Sequence, residues 1–433
     1  MELGRHLEKG FWTIADKGMV AAFGVFMILV VRILPQEAFA DYLLIQYTFL
    51  ILSHLALTLG MAPYVKYYYE VHDRTALQSG ALLLMGAFFL GTGAVLGFFR
   101  QELAVVLKND SFSHLFFFVP LLFFAAFGKL FANEIFRTTH EIQKIFWVDF
   151  VYYAVNVSFI SALIILRRLQ TAEILLWINT AAYGSSTLYA FWTARRHIVP
   201  AFKLEKGLFV RMLHFGKFAF GSGLSGTIYD RADTFIISAL LGRQAVALIG
   251  AVKLFLRPFD LYRQAVALLA FPAFSRLHAE SRNKDIRSLY EKGIFLSHLA
   301  LIPGILLLAL AADFIFDTIL AGKYPAGAFL LRIFVFLGLL ISWQAVGEGL
   351  LFGIGKAHYC FYSRLAATIS SLVLNLSLIY LLGVVGAAMA ALTSLGILAI
   401  LTTYFVRREV GFDLTSILSR YRDVHHFLRR WMR

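Results

Sequence analysis

Apolar residues run through this chain in stretches of about twenty, separated by short polar links. About twenty apolar residues in a helix cross the hydrocarbon of a bilayer, because each adds about 1.5 Å to a thickness of about 30 Å. Windows of that length predict twelve spans, near residues 10–33, 40–63, 77–99, 113–136, 145–166, 173–193, 213–240, 245–271, 295–320, 327–353, 360–382 and 384–406. The pattern predicts an all-α polytopic membrane protein. The first apolar run, Phe11 to Leu34, is too long for the core of a cleavable signal peptide and lacks a small-residue cleavage site.

The polar links carry most of the basic residues. With the N-terminus placed in the cytoplasm, 25 of the 40 Lys and Arg fall on the cytoplasmic side, 7 on the opposite side and 8 inside spans. Positive charge is retained on the cytoplasmic side of membranes, so both termini are expected there. The link at 195–211 divides the spans six and six. The expected organisation is therefore an N-lobe, 1–194, a cytoplasmic inter-lobe loop, 195–211, a C-lobe, 212–410, and a tail, 411–433. Two parallel six-helix bundles are a common transporter plan. In the tail, Leu414, Ile417, Leu418, Tyr421, Val424, Phe427 and Trp431 share one helical face and arginines fill much of the remainder. That periodicity is expected for an amphipathic helix on the inner leaflet or against a cytoplasmic loop.

Composition agrees with the span pattern. Of 433 residues, 60% are hydrophobic and 15% charged, and the mean hydropathy is +0.73. Soluble domains are about 45–50% apolar and about 25% charged. The formal charge of +14 sits in short loops between spans, which argues against nucleic-acid binding. The single cysteine, Cys360, forms no internal disulfide and fits no metal-ligand spacing.

Charges inside the spans are the strongest functional signal. A charge at the bilayer centre costs several kcal/mol, about 2.5–3.5 on insertion scales, and such residues face a polar cavity or a partner. Lys253, Arg257 and Asp260 share one helical face of span eight, with Pro258 after Arg257 to permit a kink. Arginine binds a phosphate through two parallel hydrogen bonds, so this stripe suits an anion pathway. The alternative is an ion pair with Asp230 or Asp233 of span seven. Lys17, Lys129, Lys217 and Arg231 are further candidates for a cationic cavity, with snorkelling to the interface as the competing reading for the lysines. Asp16 is a candidate cation or proton site. Glu134 and Asp149, near the inner interface, read as structural. Arg332 with Asp313 and Asp317 forms a candidate outer gate, the competing reading being a solvated interfacial cluster. Asn156, Asn179, Gln344 and Asn375 are open to two roles, sugar contact or interhelical packing.

Several short motifs resemble one family. Arg32-Ile-Leu34-Pro35-x-x-x-Phe39-x-x-Tyr42 resembles the turn after the first helix of O-antigen and polysaccharide flippases. Asp230-Arg231-x-Asp233, Pro272-Ala-Phe-Ser275-Arg276-Leu277, Gly322-Lys323-Tyr324, Gly353-x-Gly355-Lys356 and Gly383-Val-Val-Gly386-Ala387-Ala388-x-Ala390 resemble, in order, the family's later helices and turns. The chain is similar to the polysaccharide branch of the multidrug/oligosaccharidyl-lipid/polysaccharide exporter superfamily. The resemblance implies twelve helices in two lobes around a central cavity, alternating access, and a polyprenyl-diphosphate-linked oligosaccharide carried from the cytoplasmic to the outer leaflet. Two departures are Ala40 where the family commonly has Gly, and Pro35 directly after Leu34. The two extra helices of lipid II flippases are absent, which argues against a peptidoglycan precursor.

The expected partners are the lipid-linked glycan, membrane lipids, H+ or Na+ as coupling ion, and polysaccharide-assembly proteins, at a bacterial cytoplasmic (inner) membrane. Gly221-Ser-Gly223-Leu-Ser-Gly226 fits a dinucleotide fingerprint as a string, but it lies inside a span with no preceding strand, so that reading fails. No nucleotide loop, metal cluster or nucleophile–base pair is recognisable, and neither a cofactor nor an enzymatic activity is expected. The competing function is a multidrug or metabolite antiporter on the same scaffold; a cavity lined by Lys and Arg repels its cationic cargo. A glycan polymerase or ligase is expected to need a large external loop, and the predicted outer loops are short.

The topology is directly testable. A reporter fused after Gly411 is expected to be active only on the cytoplasmic side, and a reporter at Arg168 only on the outer side. The reverse pattern contradicts the orientation.

Overall fold

The structure is a computed structural model and describes residues 2–198, 201–413 and 416–417. Most of the predicted amphipathic tail lies outside these residues. Among the described residues there is no strand. The helices are α1 (Glu2–Ile33), α2 (Gln36–Tyr67), α3 (Arg74–Phe98), α4 (Arg100–Val106), α5 (Ser111–Leu115), α6 (Phe118–Thr138), α7 (Ile142–Ile165), α8 (Ala172–Ala194), α9 (Lys206–Leu241), α10 (Arg243–Phe255), α11 (Arg257–Ala279), α12 (Asn283–Leu310), α13 (Gly327–Phe334), α14 (Leu337–Gly353) and α15 (Ala357–Val410), with a short π-helix at Phe314–Ile319. The predicted spans fall on helix over most of their length, span nine excepted. Among the described residues, eight candidate spans are long and apolar enough to cross a membrane by length and composition, the last of them the whole of α15.

Local chemistry sets the boundaries. Pro35, with φ −51° and ψ 144°, has no N–H and turns the chain between α1 and α2. Asp73 and Thr171 accept the backbone N–H of Ala76 and Ile174 and so cap α3 and α8. Span nine departs from expectation. The helix stops at Leu310, ten residues before the predicted end, and the chain continues through a π-turn in which Ile315 and Phe316 are buried. An apolar window does not distinguish a straight helix from one with an extra residue per turn.

The chain divides into two compact units, Met1–Gly250 and Ala251–Arg433. Packing therefore places α9 in the first unit, on α2, although it follows the 195–211 link in sequence. The two helices come close because Gly216 has no side chain; a Cβ there would lie 2.5 Å from the Leu59 carbonyl oxygen. The candidate spans at α2 and Ser111–Thr138 are 56% and 61% buried, against 22% for α1, α3 and α7, so the first two form the centre of this unit. In the second unit Gly327–Gly353 plays that part, with 56% of its span buried. Its α14 packs on α11, α12 and α15. Phe98, Ile165, Leu310 and Tyr380 stay largely exposed, as side chains facing lipid do.

The longest helix folds back on itself. Gly383 adopts φ 61°, ψ −136°, which splits α15 into two stretches that match spans eleven and twelve. Only glycine adopts that backbone readily. Gly386 then packs so closely that a Cβ would lie 1.8 Å from the carbonyl oxygen of Leu378. Beyond the helix, Gly411 provides a left-handed C-cap, and Phe412 turns back to bury itself against Tyr290, with ring centres 4.9 Å apart.

Gly383→Ala is expected to cost about 1–3 kcal/mol, and Gly386→Leu to abolish the folded protein. Gly396→Ala, whose Cβ would meet nothing nearer than 4.0 Å, serves as the control. Thermal unfolding in detergent checks this, and equal melting temperatures for all three variants contradict the hairpin packing.

Candidate functional site: embedded charges in each unit

In the first unit the central helices bury a polar cluster. Lys129 of α6 pairs with Asp149 of α7 at 2.9 Å, and both side chains are largely buried. Tyr152 and Tyr183 lie under the ammonium, with ring centres 4.2 and 5.4 Å away. Asn133 donates to Asp149 at 3.2 Å. Asp16 of α1 lies in electrostatic contact with Asp149, Lys17 and Lys129, and its Oδ1 is buried with no hydrogen-bond partner among the described residues. The cluster therefore holds two carboxylates and two ammonium groups, with Asp149 paired to the buried Lys129 and Asp16 close to both. The exposed Lys17 stands next in sequence to Asp16.

Hydrogen bonds carry this cluster further. The Tyr152 hydroxyl donates to Asn179 at 2.7 Å, and Asn179 donates to the Tyr42 hydroxyl at 3.0 Å and to Gln46 at 3.2 Å. Asn156 bonds back to the Tyr152 carbonyl at 3.0 Å. Three helices, α2, α7 and α8, thus satisfy one another's polar groups inside a span region, where an unmet group is costly.

A second charged cluster closes the predicted outer end of the same unit. Arg243, just after the Gly242 turn, donates to Glu37 at 2.9 Å, to Asp41 at 3.3 Å and to Ser111 at 3.1 Å. Asp41 is buried and also accepts from Asn109 at 2.8 Å. Of the remaining predicted cations, Arg231 lies over the Tyr47 ring at 4.4 Å, and Lys217 is exposed over Phe218 at 5.1 Å. Asp230 is exposed, and Asp233 accepts from the Thr234 hydroxyl at 3.3 Å.

In the second unit the helical path breaks where Pro258 stands. The helix α10 ends at Phe255 and α11 begins at Arg257. Tight turns bridge the gap, Leu256 N–H bonding to the Lys253 carbonyl at 3.1 Å and Phe259 N–H to the Leu256 carbonyl at 2.9 Å. Arg257 is exposed at the first turn of α11 and, among the described residues of its own unit, pairs with no carboxylate. Lys253, one turn earlier, is half-buried and has an interaction of its own. Asp260 is 60% exposed and reaches Arg263 at 3.8 Å.

Several other charges of this unit are paired. Glu348 of α14 receives Arg364 of α15 on both oxygens at 2.8 Å and Gln344 at 2.7 Å. The fully buried Glu291 receives Arg287 at 2.9 Å and Ser416 at 2.6 Å. Arg332 pairs with Asp313 in an exposed contact, and Asp317 is exposed.

Asp149, Glu348, Asp41 and Glu37 carry no motif that sequence reasoning could have used to place them in these clusters. Their partners lie far away in sequence; a weak signal was the i, i+4 spacing of Gln344 and Glu348 in an otherwise apolar helix. Among the described residues, no group of three or more His, Cys, Asp or Glu is arranged to hold a metal.

The comparisons agree with this architecture. The fold is similar to that of lipid II flippase MurJ in an inward closed conformation, with a TM-score of 0.77, 12% identity, and coverage of 94% of this chain and 89% of that one. It is also similar to an inward-facing multidrug resistance MATE family transporter of the MOP superfamily, with a TM-score of 0.73, 13% identity and coverage of 93% and 94%. In sequence, the chain is 24% identical over 212 residues to the probable low-salt glycan biosynthesis flippase Agl15 of Haloferax volcanii, 49% of this chain and 44% of that protein. It thus spans less than half the length of that relative. The sequence profile of the polysaccharide biosynthesis protein family matches residues 72–327. That stretch is more than half of the chain and contains Lys129, Asp149, Lys253 and Arg257 alike, and the chain belongs to the polysaccharide biosynthesis protein family.

Proposed function

We propose that this protein moves a polyprenyl-diphosphate-linked oligosaccharide from the cytoplasmic to the outer leaflet by alternating access, for cell-surface polysaccharide biosynthesis. The observation that carries the reading is Arg257. It stands at a helix break in a predicted span, exposed, with no carboxylate of its own unit to neutralise it. A guanidinium left open in such a place is stabilised by an anionic substrate, and a broken helix offers its N-terminal end to the same anion. Lys253 adds a second cation one turn away. The moving parts are the two six-helix lobes, 1–194 and 212–410.

The membrane potential assists. An inside-negative potential favours outward movement of an anion by about 2.3 kcal/mol per charge per 100 mV. The two neighbouring carboxylates, Asp16 and Asp149, make the first unit the candidate site for a coupling H+ or Na+. In this reading the ion neutralises the carboxylate pair in one state and leaves in the other. The protein works as a transporter without a covalent step, in the cytoplasmic membrane with both termini inside, alongside polysaccharide-assembly proteins.

The fold similarity to MATE transporters favours one other reading, a cation-exporting antiporter. The exposed Arg257 argues against it, because it repels a cationic drug.

Arg257→Ala is expected to reduce glycan export at least about tenfold, the loss of one bidentate charge-assisted contact, while expression and membrane insertion stay normal. Arg257→Lys is expected to retain part of the activity, since it keeps the charge and loses the fork geometry. Export measured by surface glycan staining and quantitative blotting checks both. Normal export by a well-inserted Arg257→Ala protein contradicts the assignment.

A further inference from the structure

Cations at the end of the bundle read as cytoplasmic are mostly paired. Arg137 pairs with Glu134, Lys144 with Glu141, Lys203 with Asp73, Arg276 with Glu280, Arg282 with Asp285, Arg287 with Glu291, Lys356 with Glu409, Arg364 with Glu348, and Arg407 with Asp413. Among the described residues of the first unit, Arg195, Arg196 and Lys206 are exposed without a carboxylate partner, and so are four more that two helices bring together. Lys66 of α2 and Arg211, His214 and Lys217 of α9 are exposed, and among the described residues none of them is paired with a carboxylate.

These four sit among aromatic rings. The Lys66 ammonium lies 4.5 Å from the Phe215 ring centre and 5.1 Å from that of Tyr67. The Arg211 guanidinium lies 5.9 Å from the same Tyr67 ring. His214 packs on Phe218 at 5.4 Å, and Lys217 lies over Phe218 at 5.1 Å. Two helices from distant parts of the sequence thus bring their cations to shared rings. The close approach at Gly216 and Leu59 sets this, because Lys66 lies two turns beyond Leu59 and Arg211 more than one turn before Gly216 on an antiparallel neighbour.

We propose that this patch on α2 and α9 is a docking subsite for the diphosphate and first sugar of the lipid-linked substrate, used before the substrate reaches Arg257. The inference rests on the flippase reading above and adds a site to it. Lys66 and Arg211, which meet at the Tyr67 ring, supply two positive charges for the two negative charges of a diphosphate esterified at both ends, and Arg211 supplies a planar fork for its oxygens. Phe218, 65% exposed, offers an apolar ring to the C–H face of a sugar. A purely lipid-binding patch needs the cations but not the exposed ring. Charge complementarity with apolar stacking therefore favours the glycan diphosphate over bulk anionic lipid.

The test uses the whole protein in phosphatidylcholine nanodiscs, with farnesyl diphosphate as a soluble probe and phosphatidylglycerol added in a second arm. The double variant Lys66→Gln/Arg211→Gln is expected to bind the probe at least about tenfold more weakly. Lys66→Arg/Arg211→Lys, which keeps both charges, is expected to bind within about threefold of wild type, which separates a binding loss from a folding defect. Added phosphatidylglycerol is expected to leave probe binding unchanged. Wild-type affinity in the glutamine variant overturns the subsite, as does displacement of the probe by phosphatidylglycerol. If wild type binds the probe and only Arg257→Ala weakens it, the subsite falls and the flippase reading stands. If wild type fails to bind the probe, both fall.

Discussion

Hydrocarbon cannot solvate a charge, and every embedded ion in this protein must answer to that constraint. A lone charge at the bilayer centre costs several kcal/mol, and the cost is removed only by a partner, by water or by a bound ligand. The two units meet it differently. In the first, Lys129 is held by Asp149 and two tyrosine rings, and Asn133 completes the carboxylate's hydrogen bonds. In the second, Glu348 and Arg364 neutralise each other while Arg257 stands at a helix break without a carboxylate of its unit. The neutralised clusters hold helices together. The open one is where the proposed substrate contributes the missing charge.

The second demand of hydrocarbon is that backbone polar groups be satisfied, and it shapes the breaks in the helices. The gap between α10 and α11 is bridged by tight turns, which satisfy the carbonyls of Lys253 and Leu256 at the break. The fold of α15 on itself at Gly383 follows the same logic, since one glycine reverses the chain and the next, Gly386, admits the returning backbone. These devices let a chain built almost wholly of helix change direction inside apolar surroundings.

Spans were legible in the sequence because their signal is local and long. Twenty apolar residues admit few alternatives in a membrane, and Pro35, Pro258 and Gly383 mark turns and breaks by their own backbone limits. The end of α12 was not legible, because a π-turn at Phe314–Ile319 leaves the apolar pattern unbroken. Among the charged residues, Arg257 stood out by composition alone. Asp149 did not, because its partner Lys129 is on another helix and no spacing within α7 announces the pair. Asp41 and Arg243 are far apart in sequence, and so are Lys66 and Arg211, which meet on Tyr67, so neither meeting shows in a local pattern. Pairings between helices are decided by packing, and in one sequence packing leaves no mark beyond small residues such as Gly216.

The most direct test of the whole account is translocation in proteoliposomes containing the purified protein and a polyprenyl-diphosphate-linked oligosaccharide. An imposed potential, negative on the side holding the substrate, is predicted to speed its appearance on the far leaflet in a protein-dependent way, because an anion moves down that field. Failure of the protein to move the lipid at any potential, or movement of its uncharged dephosphorylated form at an equal rate, contradicts a pathway built on open cations.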